Sequence, residues 1–143
     1  MKQRSFFFAR RQALALLALG ALATPSLVRA AGAPAEIPRV AAEEAVKMAA
    51  KGEAVIVDVR AKSDYDFEHA EGAVSIPLAE FEARIGELPK DKYIAASGAV
   101  GGEGTSARAA QQLIEKGYKK AAAIKGGLAA WKAAGGKTAS TKK

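Results

Sequence analysis

The chain has 143 residues, half of them hydrophobic, which fits one modest domain. It has no cysteine and one histidine, which excludes disulfides, thiolate clusters and any metal site not built from converging carboxylates. The net charge of +7 is uneven: Lys2, Arg4, Arg10, Arg11 and Arg29 lie in the first 30 residues, which hold no acid, and the rest carries 17 basic against 15 acidic residues, so charge gives no case for nucleic-acid binding.

Residues 1–30 read as an export signal. A basic start precedes the apolar run ALALLALGALA (13–23), and Thr24-Pro25 breaks it. Val28-Arg29-Ala30 offers small residues where a signal peptidase reads, with cleavage after Ala30. The run is too short and alanine-rich for a membrane span; a retained N-terminal anchor is the alternative. Ala9-Arg10-Arg11-Gln12-Ala13-Leu14 resembles a twin-arginine signal, with alanines where Ser/Thr and Phe are usual. The other reading is an ordinary signal with two arginines. Either route predicts a periplasmic or secreted protein with no membrane contact after cleavage.

Residues 31–37 read as a flexible lead-in, with Pro34 and Pro38 opposing regular structure. Ile37–Val40 suits a short strand. Over 41–50, Ala42, Ala45, Val46 and Ala49 share one helical face, and Glu43 and Glu44 sit in the first turn, where the helix dipole favours acids. The run AVIVDV (54–59) is continuously apolar up to its aspartate, as in a strand covered on both faces. Short elements follow: a helix at 64–68, a strand at 73–76, a helix at 78–85 and a weak strand at 93–96. Residues 105–116 form the clearest helix, stopped by Gly117. Residues 121–124 make a poor strand by propensity, being mostly alanine. A helix at 128–134 ends at Gly135, and 136–143 reads as a basic, disordered tail. This alternation predicts an α/β fold with a mostly parallel sheet of about five strands and helices on both faces.

The segment SGAVGGEGTSAR (97–108) falls between a strand and the best helix, at the carboxyl end of the sheet where ligands bind. Gly98, Gly101, Gly102 and Gly104 let successive N–H groups turn inward, and the helix dipole adds partial positive charge. Thr105 or Ser106 can cap the helix, and Arg108 lies in its first turns. The candidate anion loop is therefore Val100, Gly101, Gly102, Glu103, Gly104, Thr105 and Ser106, with the charge of Glu103 opposing an anion. A tight capped turn is the other reading of the same residues.

DVR (58–60), Asp64-Tyr65, His69, Gly72-Ala73 and Ile76-Pro77, followed by GYKKAAAIKGGLAAW (117–131), fall at spacings that resemble the N- and C-terminal signatures of the rhodanese family. The resemblance covers about 38–135. It implies a thiosulfate sulfurtransferase-like domain without a cofactor. A loop cysteine would take sulfane sulfur from a donor such as thiosulfate, hold it as a persulfide and pass it to a thiophilic acceptor. Counting back from Thr105-Ser106, the family cysteine falls at Val100. The second cysteine of some relatives falls at Gly98. Neither residue is a nucleophile. Ser97 has a hydroxyl, but its high pKa and hard oxygen make it no persulfide carrier. Glu68 stands where a glycine is usual before the histidine, and Ala70 where a larger apolar residue is.

Other residues have a sharp and a plain reading. Asp58 and Arg60 end a strand on the ligand side, but hydrogen bonding between loops suits them better than catalysis. His69 is a potential general base; the resemblance gives it a structural place before Gly72. Gly126 and Gly127 either approach a ligand or make the turn into the last helix. Trp131 suits packing of that helix. Lys125 and Arg108 are cations near a sulfur oxyanion's expected place. The resulting expectation is an exported, inactive rhodanese-like module that binds an anion or a protein partner. The alternatives are a sulfurtransferase lineage with its nucleophile replaced, and a purely structural partner domain.

Overall fold

The computed structural model describes residues 36–99 and 103–142. Its centre is a five-stranded sheet in the order β1-β6-β5-β2-β4, from β1 (Arg39–Val40), β2 (Ala54–Asp58), β4 (Val74–Ser75), β5 (Tyr93–Ser97) and β6 (Ala121–Ile124). Every pairing in it is parallel, as the alternating elements predict. The continuous apolar strands follow from burial on both faces. In β2, Val57 joins one core with Phe81, Leu113 and Tyr118, while its neighbour Ile56 joins the other with Val40, Leu128 and Trp131. Successive side chains point to opposite faces, so one strand feeds both cores.

Helix α1 (Ala42–Ala50) and helix α5 (Gly127–Ala133) cover one face. Helix α3 (Leu78–Arg84) and helix α4 (Glu103–Glu115) cover the other. Phe81 is fully buried there. Tyr118, just past α4, is buried with its hydroxyl 2.7 Å from both the Ile85 and Leu88 carbonyls. It ties α4 to the single 3-10 turn Ile85–Glu87 that follows α3. The alanine-rich β6 is a strand in spite of its propensity. It lies between β1 and β5 with Ala121–Ala123 at most 6% exposed, and burial outweighs the weak intrinsic preference of alanine.

Helix α2 (Lys62–Phe67) leads into β3 (His69–Ala70), and β3 pairs antiparallel with β7 (Thr138–Ala139). The tail over 136–142 is thus not disordered, contrary to the sequence expectation. Its backbone is held by β3, and Thr141 and Lys142 donate N–H bonds to the Asp66 carbonyl at 3.1 and 3.0 Å. The expected short helix at 64–68 begins two residues earlier and ends one earlier. The expected signal (1–30), and the lead-in as far as residue 35, lie outside the described residues.

Candidate functional site: the carboxyl edge of the sheet

Asp58 ends β2, Ser97 ends β5, and the two are register partners. The chain leaving β2 goes on to β4 on one side, and the chain leaving β5 goes on to β6 on the other. The two connections diverge at this point, the kind of switch point at the carboxyl edge where α/β sheets bind ligands. The connection from β5 to α4 begins there. Val100, Gly101 and Gly102 lie outside the described residues. Gly98 is buried and Ala99 exposed at the start of the loop.

Helix α4 starts at Glu103, two residues before the expected start. Thr105 and Ser106 are therefore inside its first turn and do not cap it from outside. Gly104 is tolerated because residues of a first turn have no carbonyl four residues back to reach. Ser106 is 2% exposed, Thr105 half-buried, and Gly104 and Arg108 exposed. At 13 residues, α4 is long enough for a substantial dipole, with its positive end at the loop.

Asp58 and Arg60 are engaged with each other. Arg60 Nε lies 3.0 and 3.1 Å from the two Asp58 carboxylate oxygens, and its terminal nitrogen donates to Asp58 Oδ2 at 2.6 Å. The Arg60 backbone N–H donates to Asp58 Oδ1 at 3.0 Å. The same terminal nitrogen reaches the Glu68 carbonyl at 2.6 Å. Asp58 is 1% exposed, so its charge is tolerable only with this forked partner. The hydrogen bond to Asp58 raises the Arg60 pKa further, against the opposing effect of burial. The pair ties the turn after β2 to the end of α2, just before β3, which is the loop-tying reading of the sequence.

His69 is 5% exposed, and its ring stacks on Tyr65 with centroids 3.8 Å apart. Its Nδ1 lies 2.6 Å from the Tyr65 carbonyl. A carbonyl oxygen only accepts, so Nδ1 carries the proton. Tyr65 donates in turn to the Ala73 carbonyl at 2.7 Å. Burial, followed by the charge of Asp58, raises the Tyr65 pKa and keeps it a donor. His69 thus holds the turn around Gly72.

Gly126 and Gly127 both adopt positive φ, at 76° and 57°. A Cβ on Gly126 would stand 2.7 Å from the Ala130 Cβ, and one on Gly127 would stand 2.5 Å from the Gly98 carbonyl oxygen. The glycine pair makes the turn into α5 and backs directly onto the start of the loop. This approach between two distant loops goes beyond the glycines' local turn signal in the sequence. Lys125 is exposed, with its backbone N–H on the Val40 carbonyl at 3.0 Å, so it tops the β6–β1 side of the edge. Among the described residues, a groove of about 400 Å³ lies elsewhere, lined by Val46, Ala49, Gly72, Trp131 and Gly136.

Residues 41–134 match the family model of the rhodanese-like domain. The chain is 31% identical over 90 residues to the thiosulfate sulfurtransferase GlpE of Coxiella burnetii, a match covering 63% of this chain and 82% of that protein. It is 44% identical over 45 residues to the HTH-type transcriptional regulator Rv0324 of Mycobacterium tuberculosis; that match spans 32% of this chain and only 20% of the regulator. Among solved structures, the Alr3790 protein from Anabaena sp. superposes with a TM-score of 0.64 at 33% identity, covering 71% of this chain and 82% of that one. With this sheet order, this loop position and these matches, the chain belongs to the rhodanese-like domain family, as a member whose sequence holds no cysteine.

Proposed function

We propose that this chain is an exported rhodanese-like domain that does not transfer sulfur and binds a small sulfur oxyanion or a protein partner through the face of its 97–106 loop. The observation that carries the reading is the retention of the frame without a sulfur nucleophile. The double displacement needs a thiolate to attack the sulfane sulfur of thiosulfate, expel sulfite and hold the sulfur as a persulfide. No residue of the chain supplies a thiol. Ser97 is 3% exposed and offers only a hydroxyl oxygen. Asp58 and Arg60 satisfy each other and are not poised for proton transfer.

The anion-binding half of the proposal is supported by the position of the α4 N-terminus at the carboxyl edge, where the helix dipole is positive. Arg108 and Lys125 add exposed positive charge near the same edge. An assay with thiosulfate and cyanide should give no thiocyanate above a buffer blank. Titration of sulfite or thiosulfate, followed by amide NMR, should move the resonances of 103–106 and 98–99. Sustained turnover would refute the inactive reading. Unmoved amides would leave the protein-partner reading in place of the anion.

The similarity to GlpE supports a second reading, a sulfurtransferase lineage in which the nucleophile has been replaced. It differs from the first in history and agrees with it on the outcome of the assay. Export rests on residues 1–30, and a mature chain beginning at or near Ala31 would support it.

A further inference from the structure

The amino edge of the sheet, at the opposite end of the strands from the loop, carries an unbalanced charge. β5 and β6 are neighbours, and their leading loops lie side by side, with the Ile94 N–H on the Lys120 carbonyl at 2.8 Å. Residues 89–93 and 116–121 together carry five lysines and one acid, Asp91. The near-balance of the chain after residue 30 conceals this concentration. All five lysines are exposed. Lys116 lies 3.7 Å from Glu82, and among the described residues Lys90, Lys92, Lys119 and Lys120 make no ion pair. By contrast, Arg60, Lys62, Arg84 and Lys132 each pair with an acid. A lysine just past a helix end answers the negative end of the dipole, and this covers Lys116 after α4. That effect fades within a turn. Lys90 and Lys92 lead into β5, and Lys119 and Lys120 into β6, so it does not account for them.

Two further features belong to this edge. The Lys90 ammonium stands 5.5 Å from the centroid of the Tyr118 ring, and the Tyr118 hydroxyl is anchored on the Ile85 and Leu88 carbonyls, so this charge is held in place. A hollow of about 500 Å³ opens beside the loops, lined by Met48, Glu53, Asp91, Lys92, Tyr93 and Lys120. Tyr93 is half-buried, and among the described residues its hydroxyl has no hydrogen-bond partner. The Lys92 and Lys120 ammonium groups and the Tyr93 hydroxyl are thus donors for which the described residues supply no acceptor.

Shape and charge select the class of partner. Gathered cations repel one another, and an acidic partner relieves that repulsion. A planar anionic membrane suits a flat cationic face, whereas this face is indented and holds Glu53 and Asp91 among its lysines. Nucleic-acid phosphates favour the forked guanidinium, and these loops contain no arginine. Carboxylates spaced along an extended chain reach the lysines, pass by the two acids and accept from Tyr93.

We propose that the amino edge, built by the loops leading into β5 and β6, docks an acidic, extended segment of a protein partner. The face is separate from the 97–106 loop, and its use does not depend on what that loop binds.

The test titrates the full chain with a synthetic deca-glutamate peptide and follows the backbone amides by NMR. The amides of 90–93 and 117–120 should shift, and those of 103–106 should stay. Raising the ionic strength from about 0.01 M to about 0.15 M shortens the screening length from about 30 Å to about 8 Å and should weaken binding at least about tenfold. Lys119→Glu with Lys120→Glu should weaken the peptide at least about tenfold at low salt, whereas Lys137→Glu with Lys142→Glu, the same charge change on the tail, should not. Should the first pair of changes disturb the fold, Lys90→Glu with Lys92→Glu reverses the neighbouring loop and serves in its place. Tyr93→Phe should weaken the peptide several-fold and leave the denaturation midpoint unchanged. Vesicles of phosphatidylglycerol in phosphatidylcholine should not carry the chain down on sedimentation at an ionic strength where the peptide binds. Sedimentation with vesicles and no peptide binding would assign the face to a membrane and overturn the proposal. No amide shifts at low salt, shifts centred on 103–106, equal weakening by the two lysine reversals, or unweakened binding to the Tyr93→Phe chain would each overturn it as well.

Discussion

The contact between Gly127 and the loop gives a sharp test of how the carboxyl edge is held. Gly127→Ala introduces two costs. The first is conformational: at φ 57° an alanine is in the left-handed region, which costs about 1–2 kcal/mol. The second is steric: the new Cβ would stand 2.5 Å from the Gly98 carbonyl oxygen, so backbone must move, at a cost of about 1–3 kcal/mol by comparison with overpacked cores. Gly52→Ala separates them. Gly52 has φ 72° and open space around its Cβ position, so it carries the first cost alone. Urea unfolding should show Gly127→Ala about 1–3 kcal/mol less stable than Gly52→Ala, with similar m-values. The amides of Gly98 and Ala99 should shift in the Gly127 variant only. Equal destabilisation of the two variants, or unmoved loop amides, would refute the reasoning that Gly127 props the loop.

Tyr118→Phe leaves the Ile85 and Leu88 carbonyls without their buried donor, and should cost about 1–3 kcal/mol in denaturant unfolding. The ion pairs of Glu68 with Lys132 and of Asp66 with Lys62 should weaken in acid. Lys132 first, and then Thr138, hold the Glu68 pKa below its ordinary 4.5, while Lys62 and then Thr141 hold Asp66 below 3.8. Both are depressed in the folded chain, so their stabilisation is present above those ordinary values and fades as pH falls through the lower, folded ones. Fluorescence of Trp131, the single tryptophan, should report this below about pH 4.5, and a Glu68→Gln chain should show a smaller acid change. Val100→Cys should give a thiol with a pKa below the ordinary value of about 8.5 and measurable transfer from thiosulfate to cyanide, with Gly98→Cys weaker. A thiol at 100 that titrates like a free cysteine and transfers nothing would count against the anion loop. Mass spectrometry of exported protein should find a start at or near Ala31, and changing Arg10 and Arg11 to lysine should reduce export if the route is twin-arginine.

Much of the architecture is legible because its signals are strong and local. The run AVIVDV has no polar residue before Asp58, and its valines and isoleucine suit a strand covered on both faces. Gly52, Gly117 and Gly135 follow helix ends at positive φ, and each marks its stop in the sequence. The start of α4 is less legible, because Glu103 and Gly104 read as loop by composition, while a first turn makes few demands on its residues. The β3–β7 pair is not legible at all. Two-residue strands carry no periodicity, and β7 lies in a segment whose composition resembles a frayed end. Only the opposite charges of 64–71 and 132–142, more than sixty residues apart, hint at it.

The candidate site shows the same division between distributed and single-residue information. The frame around the loop rests on many contacts: Arg60 on Asp58 and Glu68, Tyr65 on His69 and Ala73, Gly127 against Gly98. Loss of any one leaves the others in place, so the family pattern survives substitutions such as Glu68 and Ala70. The sulfur chemistry of a rhodanese rests on one atom type at one position. A single substitution removes it without disturbing the sheet, the helix dipole or the glycine turn. A legible frame therefore carries no information about turnover here, and the chemistry of the loop must be read from its own residues. Those residues include no thiol, so the loop holds no group that can accept sulfane sulfur as a persulfide.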